Sequence, residues 1–186
     1  MDFFNSLVNY DKQLLLFLHS KGSITWDAFW LFITNPLPWI PLVFLFFYLG
    51  YRSFGFKKTI LITLITVLSG VFSLLIVSLI KNYFQRLRPL NDSSINNSIR
   101  VLVEQNDFSF VSGHSTVSFT ITFILFWILK KKYKYAYVLF LFPILFAYSR
   151  IYLAVHFPID ILFGMLLGYL VALIFYKIIE FSILKR

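Results

Sequence analysis

Between Lys58 and Lys81 lie 22 consecutive residues, Thr59 to Ile80, with no charge among them. A helix of that length is about 33 Å long, enough to cross a hydrocarbon layer of about 30 Å. A water-soluble domain seldom keeps such a run unbroken, because one face of its helix would have to meet water. The rest of the chain agrees. Of 186 residues, 59% are hydrophobic and only 13% charged, with 24 phenylalanines. A soluble domain carries about 25% charged residues and cannot hide this much apolar surface in one core. High apolar content excludes disorder, and the absence of cysteine excludes a disulfide scaffold. The expectation is an all-α polytopic membrane bundle, a single domain over residues 1–186 with about five to six transmembrane helices.

Further spans are expected from Ser112 to Leu129, from Tyr135 to Ile151 with Pro143 as a kink, and from Pro158 to Phe181, where Lys177 can snorkel to the boundary. Gly70 and the Ser and Thr residues of the Thr59 span suggest close helix packing. Trp39 to Tyr51 is apolar but short, and Asn35-Pro36-Leu37-Pro38 before it favours a break, across which Trp26 to Thr34 would extend the span. Upstream, Phe4, Val8 and Leu15, and Phe3, Leu7, Leu14 and Leu18, recur at helical spacing around Asp2, Asp11 and Lys12. That pattern suits an N-terminal helix lying in the membrane interface.

The net charge of +9 would suggest nucleic acid in a soluble protein, but here position decides. One set of loops holds Arg52, Lys57, Lys58, Lys130, Lys131, Lys132, Lys134, Lys177, Lys185 and Arg186 against the single acid Glu180. The other holds the remaining seven basic residues against Asp2, Asp11, Asp27, Asp92, Glu104, Asp107 and Asp160. By the positive-inside rule the first side is cytoplasmic, and the loop from Asn82 to Val111 faces outward. No nucleic-acid partner is expected.

Three polar clusters then share the outer face: Lys81, Arg86, Arg88 and Pro89; Ser112-Gly113-His114; and Ser149-Arg150, followed by His156 and Asp160. Each alone has an ordinary explanation, such as boundary cations, a helix N-cap at Ser112, an interfacial histidine, or an acid at a helix start. Convergence is what these explanations leave over. Lys81, Arg88 and Arg150 supply donors suited to a phosphate, and the amides of Ser112 and Gly113 at a helix start could add more. A neutral His156 could act as nucleophile, with Asp160 one turn on to fix its tautomer and His114 to protonate the leaving oxygen. This set could transfer a phosphoryl group with no metal and no cofactor.

In order and spacing, Lys81-x6-Arg88-Pro89, Ser112-Gly113-His114 and Ser149-Arg150-x5-His156-x3-Asp160 resemble the three-part signature of the type 2 phosphatidic acid phosphatases, a family of membrane lipid phosphatases. The resemblance spans residues 81–160 and implies a phosphohistidine mechanism. His156 would be the nucleophile oriented by Asp160, and His114 the acid and then the activator of water. Lys81, Arg88, Ser112, Gly113 and Arg150 would hold the phosphate, with Ser149 close by. Val111 stands where the family usually has proline, which contributes no catalytic group. Arg86 is an extra cation that could read a second phosphate or an anionic head group, and His19 matches nothing and is expected to be structural or interfacial.

The implied setting is a bacterial cell membrane, with the site facing the periplasm or exterior and a phosphorylated lipid as partner. Undecaprenyl diphosphate is the leading substrate, with lipid A or phosphatidylglycerophosphate as alternatives. A different class, a non-catalytic transporter or assembly protein, would keep anion affinity without needing two histidines beside a carboxylate.

Overall fold

The uncharged run becomes the middle of a 29-residue helix. The computed structural model describes residues 2–185; Arg186, counted above with the basic loops, and the side chains of Asp2 and Phe3 lie outside the described residues. The helices are α1 (Asp2–Ser20), α2 (Ile24–Ile33), α3 (Ile40–Phe54), α4 (Phe56–Phe84), α5 (Gly113–Leu129), α6 (Leu141–Tyr152) and α7 (Pro158–Ile179). A 3-10 turn leads into α3 (Leu37–Trp39) and another into α6 (Ala136–Phe140), and a π-helical turn (Glu180–Leu184) follows α7. Among the described residues there is no strand. Three stretches are long and apolar enough to cross a membrane: Leu37–Phe54, the one that begins with α4 at Phe56, and Pro158–Leu184. Three further apolar stretches, α2, α5 and Ala136–Tyr152, are shorter.

Both expected irregularities have local causes. At Asn35-Pro36, Asn35 Oδ1 accepts the Leu37 amide at 2.9 Å and the Trp39 indole donates to the Ile33 carbonyl at 2.9 Å. These bonds use groups that the ends of α2 and α3 would otherwise leave unpaired. Pro143 sits in the first turn of α6, where a missing N–H costs no helical bond, so the irregularity lies before it in the 3-10 turn.

The faces of α4 invert the soluble pattern. Its buried stripe is Thr59, Ile62, Thr66, Ser69, Gly70, Ser73 and Val77, while Leu64, Leu68, Leu75 and Leu79 point outward. Hydroxyls on the buried stripe donate to carbonyls of their own helix, as Thr66 does to Ile62 and Ser73 to Ser69, both at 2.8 Å. Small, self-satisfied polar residues inside and large apolar ones outside are what lipid, rather than water, selects.

The closest helix approach is between α5 and α7, and Gly164 and Gly168 permit it. A Cβ on Gly168 would lie 2.6 Å from the Thr116 carbonyl oxygen, and one on Gly164 would lie 2.8 Å from that of Ser112. Gly70, by contrast, would meet only an ordinary contact 3.8 Å from Val117, so the tightest packing is not on the Thr59 span. Ser115 Oγ donates to the Ile161 carbonyl at 2.9 Å, and Thr120 Oγ1 to that of Gly168 at 3.2 Å. At the end of this seam the Ser112 amide donates to the Asp160 carbonyl at 3.1 Å, which sets the start of α5 beside the start of α7.

Helix α1 packs on α6 and α7 through Asp11, Leu15 and His19, a stripe at i, i+4, i+8. His19 Nδ1 donates to the Tyr152 carbonyl at 2.7 Å and its Nε2 accepts the Arg100 amide at 3.0 Å, a structural role that uses both ring nitrogens. The other side of α1, including Val8, Leu14 and Phe17, is exposed and apolar.

Candidate active site

Four helix ends meet at one end of the bundle: the C-termini of α4 and α6 and the N-termini of α5 and α7. Gln85 ends α4 in the left-handed conformation (φ 48°), turning the chain so that Arg86 and Arg88 fold back over the helix ends. Ala154 is also left-handed (φ 48°), a conformation that costs a non-glycine residue roughly 1 to 2 kcal/mol. That tight reversal between α6 and α7 carries His156 into the centre.

His156 is 1% exposed, and its two nitrogens face opposite chemistry. Nδ1 lies 3.4 Å from Asp160 Oδ2 and 3.4 Å from Ser109 Oγ. Because the Ser109 hydroxyl itself donates to Asp160 Oδ2, both neighbours of Nδ1 are acceptors, and Nδ1 carries the proton. Nε2 lies 3.4 Å from the Arg88 guanidinium, which has only donors, so Nε2 presents its lone pair. Burial, the largest effect, outweighs the hydrogen bond to Asp160 and, with smaller help from the charges of Arg88 and Arg150, pushes the imidazole down to about 4. At neutral pH this histidine is an uncharged base with its free electron pair on Nε2.

Asp160 is fully buried and saturated. Its Oδ2 also accepts the Phe157 amide at 2.9 Å, and its Oδ1 accepts Arg86 at 2.7 Å. Arg86 donates through its other terminal nitrogen to Asp11 Oδ2 at 2.6 Å. With both terminal nitrogens on carboxylates, Arg86 faces Asp160 and Asp11 rather than a second phosphate or head group.

The cations on the Nε2 side are held differently. Lys81 Nζ donates to Asp107 Oδ2 and Arg88 to Asp107 Oδ1, each at 2.5 Å. Arg88 also donates to the Val155 carbonyl at 2.6 Å, which ties the loop after α4 to the reversal before α7. Burial works to raise the Asp107 carboxyl, but Lys81 and Arg88 win and hold it below the usual carboxylate range. The Asp107 side chain remains 58% exposed. Arg150 is 2% exposed and donates to Thr34 Oγ1 at 2.5 Å, while its Nε and remaining terminal nitrogen have no partner among the described residues. The break between α2 and α3 is what brings Thr34 to this guanidinium.

Lys81, Arg88, Asp107, Gly113, His114 and His156 line one open cavity of about 650 Å³, together with Leu74, Val77 and Ser78 of α4. The side chains of His114 and Phe146 pack with ring centres 5.1 Å apart. Ser112 caps α5 through Oγ, which accepts the Ser115 amide at 3.4 Å, but its own amide is taken by Asp160. The amide of Gly113 therefore stands as the expected backbone donor that keeps no partner among the described residues. Ser149 is buried near Arg150 and its hydroxyl donates to the Phe146 carbonyl at 2.6 Å, so it has no proton to offer a ligand in this arrangement.

The expected set is thus brought to one end of the bundle. Four participants have no signal in the motif strings: Asp107, Ser109, Asp11 and Thr34. Asp107 and Ser109 sit five and three residues before Ser112 in a segment with no helical period, and Asp11 and Thr34 arrive from helices distant in sequence. Among the described residues, no group of three or more His, Cys, Asp or Glu side chains gathers as a metal-ligand set.

The sequence profile of the PAP2 superfamily matches residues 62–183. A lipid A 4'-phosphatase of Bacteroides thetaiotaomicron is 27% identical over 176 residues, covering 92% of this chain and 78% of the relative. An undecaprenyl-diphosphatase of Sulfolobus acidocaldarius is 28% identical over 167 residues, covering 87% and 74%. Among solved structures, the transmembrane PAP2 type phosphatidylglycerolphosphate phosphatase of Bacillus subtilis superposes with a TM-score of 0.73 at 21% identity, covering 96% of this chain and 88% of that one. LpxE of Aquifex aeolicus superposes with a TM-score of 0.67 at 24% identity, covering 89% and 93%. Both structures share the helical arrangement described above.

Proposed function

The chain belongs to the PAP2 superfamily, and from that premise we propose that it is a membrane lipid phosphatase working through a phosphohistidine on His156. The observation that carries the mechanism is the placement of the two His156 nitrogens, with Nδ1 beside the acceptors Asp160 and Ser109 and Nε2 beside the Arg88 guanidinium on the wall of the cavity, which assigns the proton to Nδ1 and the lone pair to Nε2. In the first step Nε2 attacks the terminal phosphorus, the bond from that phosphorus to the leaving oxygen breaks (the bridging oxygen of a diphosphate, the ester oxygen of a monoester), and His114 gives that oxygen its proton. In the second, His114 takes a proton from water, the water oxygen attacks phosphorus, and the P–N bond breaks to release phosphate and neutral His156. Lys81, Arg88, Arg150 and the Gly113 amide stabilise the charge on the transferring group, and Asp160 stabilises the imidazolium as it forms. The phosphate takes over the donors that Asp107 holds.

Leu74, Val77 and Ser78 form an α4 wall continuous with the lipid-facing side of that helix, so the substrate enters with its tail in the bilayer. The chain crosses the membrane five times, through the broken α2–α3 pair, α4, α5, α6 and α7. The site lies at the outer face and the lysine-rich turns at the cytoplasmic one. Ser94, exposed on the site side, tests this orientation. A Ser94→Cys variant should react with an impermeant thiol reagent in intact cells, and labelling only after lysis would reverse the topology.

Undecaprenyl diphosphate is the leading substrate; the likeness to the Bacteroides protein supports lipid A as the second. Phosphate release by purified protein from undecaprenyl diphosphate, lipid A, phosphatidylglycerophosphate and phosphatidic acid distinguishes them. The expected result is turnover of at least one, undiminished by chelator, and its loss in His156→Ala. Full turnover by His156→Ala would refute the mechanism, and chelator-sensitive turnover would mean that a metal takes part.

A further inference from the structure

We propose that Asp11 and Arg86 are positioning residues through which the N-terminal helix holds the Asp160 carboxylate in register with His156. This rests on the phosphatase reading above and adds two residues to it, one of which, Asp11, precedes the segment that the superfamily profile matches.

The geometry of Asp160 explains why a second support is needed. Its Oδ2 takes three neighbours, Ser109, the Phe157 amide and His156 Nδ1. Its Oδ1 takes Arg86, so the orientation of the carboxylate plane depends on that guanidinium. Arg86 lies on a loop, where a long side chain would have many conformations. Two contacts remove that freedom: the Asp11 carboxylate at 2.6 Å and the face of the Phe157 ring, 3.9 Å from the guanidinium carbon to the ring centre.

Asp11 is itself fixed from another direction. Its Oδ1 accepts the Ile159 amide at 2.9 Å, one of the first-turn amides that α7 cannot use internally. A single carboxylate on α1 therefore caps the helix that carries Asp160 and also holds the arginine that orients it. The Asp11 side chain is 1% exposed and that of Arg86 23%, so the carboxylate end of the pair is out of water, where losing the partner of a buried charge is most unfavourable. Helix α1 is seated by other groups as well, with Leu15 fully buried and His19 bonded to Tyr152 and Arg100. Neutralising Asp11 thus leaves the helix its other anchors.

The groups facing Asp160 are Asp11 from α1, Lys81 from the end of α4, Arg86 and Arg88 from the loop after it, and His156 from the reversal before α7. Arg86 is the cation bonded directly to the carboxylate, so its loss leaves the negative charge of Asp160 to favour the protonated form of His156. That proton disables the nucleophile, and the acid limb of the activity profile moves to higher pH.

The test is steady-state phosphate release from dioctanoyl phosphatidic acid and from undecaprenyl diphosphate in detergent micelles, as a function of pH. Arg86→Gln should lower kcat about a hundredfold with KM nearly unchanged and an acid limb shifted upward, because Lys81, Arg88 and Arg150 still bind phosphate. Arg86→Lys should restore most of kcat and the original acid limb. Asp11→Asn should lower kcat about tenfold alone and add almost nothing in the Arg86→Gln background, since the two act in series. Wild-type kcat and acid limb in Arg86→Gln would overturn the inference. So would a loss confined to thermal stability, with effects of the two substitutions that simply add. If wild-type protein releases phosphate from neither lipid while the wider panel also fails, the phosphatase reading falls and the inference with it; if wild-type protein turns over normally, only the behaviour of the variants is at issue.

Discussion

On the Nδ1 side of His156 the carboxylate and its partners are paired inside the protein, whereas on the Nε2 side Lys81 and Arg88 share one half-exposed aspartate besides backbone carbonyls, and Arg150 keeps two unmatched nitrogens. Asp160 is 0% exposed and takes Arg86, Ser109, the Phe157 amide and His156. Arg150 is nearly as buried, at 2%, yet two of its nitrogens are unmatched. An enzyme gains from this division. On the proposed mechanism, a rigid orienting side would keep the nucleophile in one tautomer before substrate arrives, and an under-satisfied side would give its interactions to the phosphate. The difference teaches where stability and activity should separate.

The largest separation is expected at Arg150. Arg150→Ala removes a buried charge that lacks two partners, so activity should fall about a thousandfold while thermal stability holds or rises. Phosphate release and a detergent-micelle melting curve measure the two. A matching loss of stability would mean that Arg150 is already satisfied in the empty protein, and the contrast would disappear. Asp160→Asn tests the opposite side. It should cost activity about a hundredfold and also lower the melting temperature, because Arg86 keeps Asp11 but loses its second buried charge.

At Asp107 a smaller effect with the opposite sign is expected. Asp107→Asn releases the claim of a carboxylate on Lys81 and Arg88, so inorganic phosphate or vanadate should inhibit at a concentration a few-fold lower, about 1 kcal/mol of binding. Weaker inhibition would make Asp107 a support for the cations rather than a competitor for them. The subtlest outcome concerns His156 alone. With its value pushed down to about 4, the ring should stay neutral as pH falls from 7 to 5 and take up a proton only near 4, which the carbon resonances of labelled histidine report. A midpoint near 6.5 would show an open, solvated imidazole.

Much of this was legible in the order of residues. The long apolar helices were visible because lipid demands long apolar runs, and Thr59 to Ile80 lies within α4. The break at Asn35-Pro36 was visible because proline and asparagine act locally. The signature residues were visible because their spacing reflects helix ends that gather at one end of the bundle. What stayed hidden depends on packing between distant segments. Nothing in the sequence around Asp11 distinguishes it from Asp2 as an acid on an amphipathic helix, and only the docking of α1 on α7 brings it to Ile159 and Arg86. Arg86, two residues from Arg88, was expected to face a ligand, but the left-handed turn at Gln85 directs it to Asp160 instead. The tight points of the bundle were likewise hidden, since Gly70 and Gly168 look alike in sequence and only the second meets a backbone.

The most direct test of the central claim is to quench the purified protein during turnover of 32P-labelled phosphatidic acid and look for phosphate on the chain. The phosphohistidine mechanism requires label that survives alkali, is lost in acid, maps to the peptide containing His156, and is absent from His156→Ala. Steady turnover with no label on His156, or with undiminished activity in His156→Ala, would contradict it.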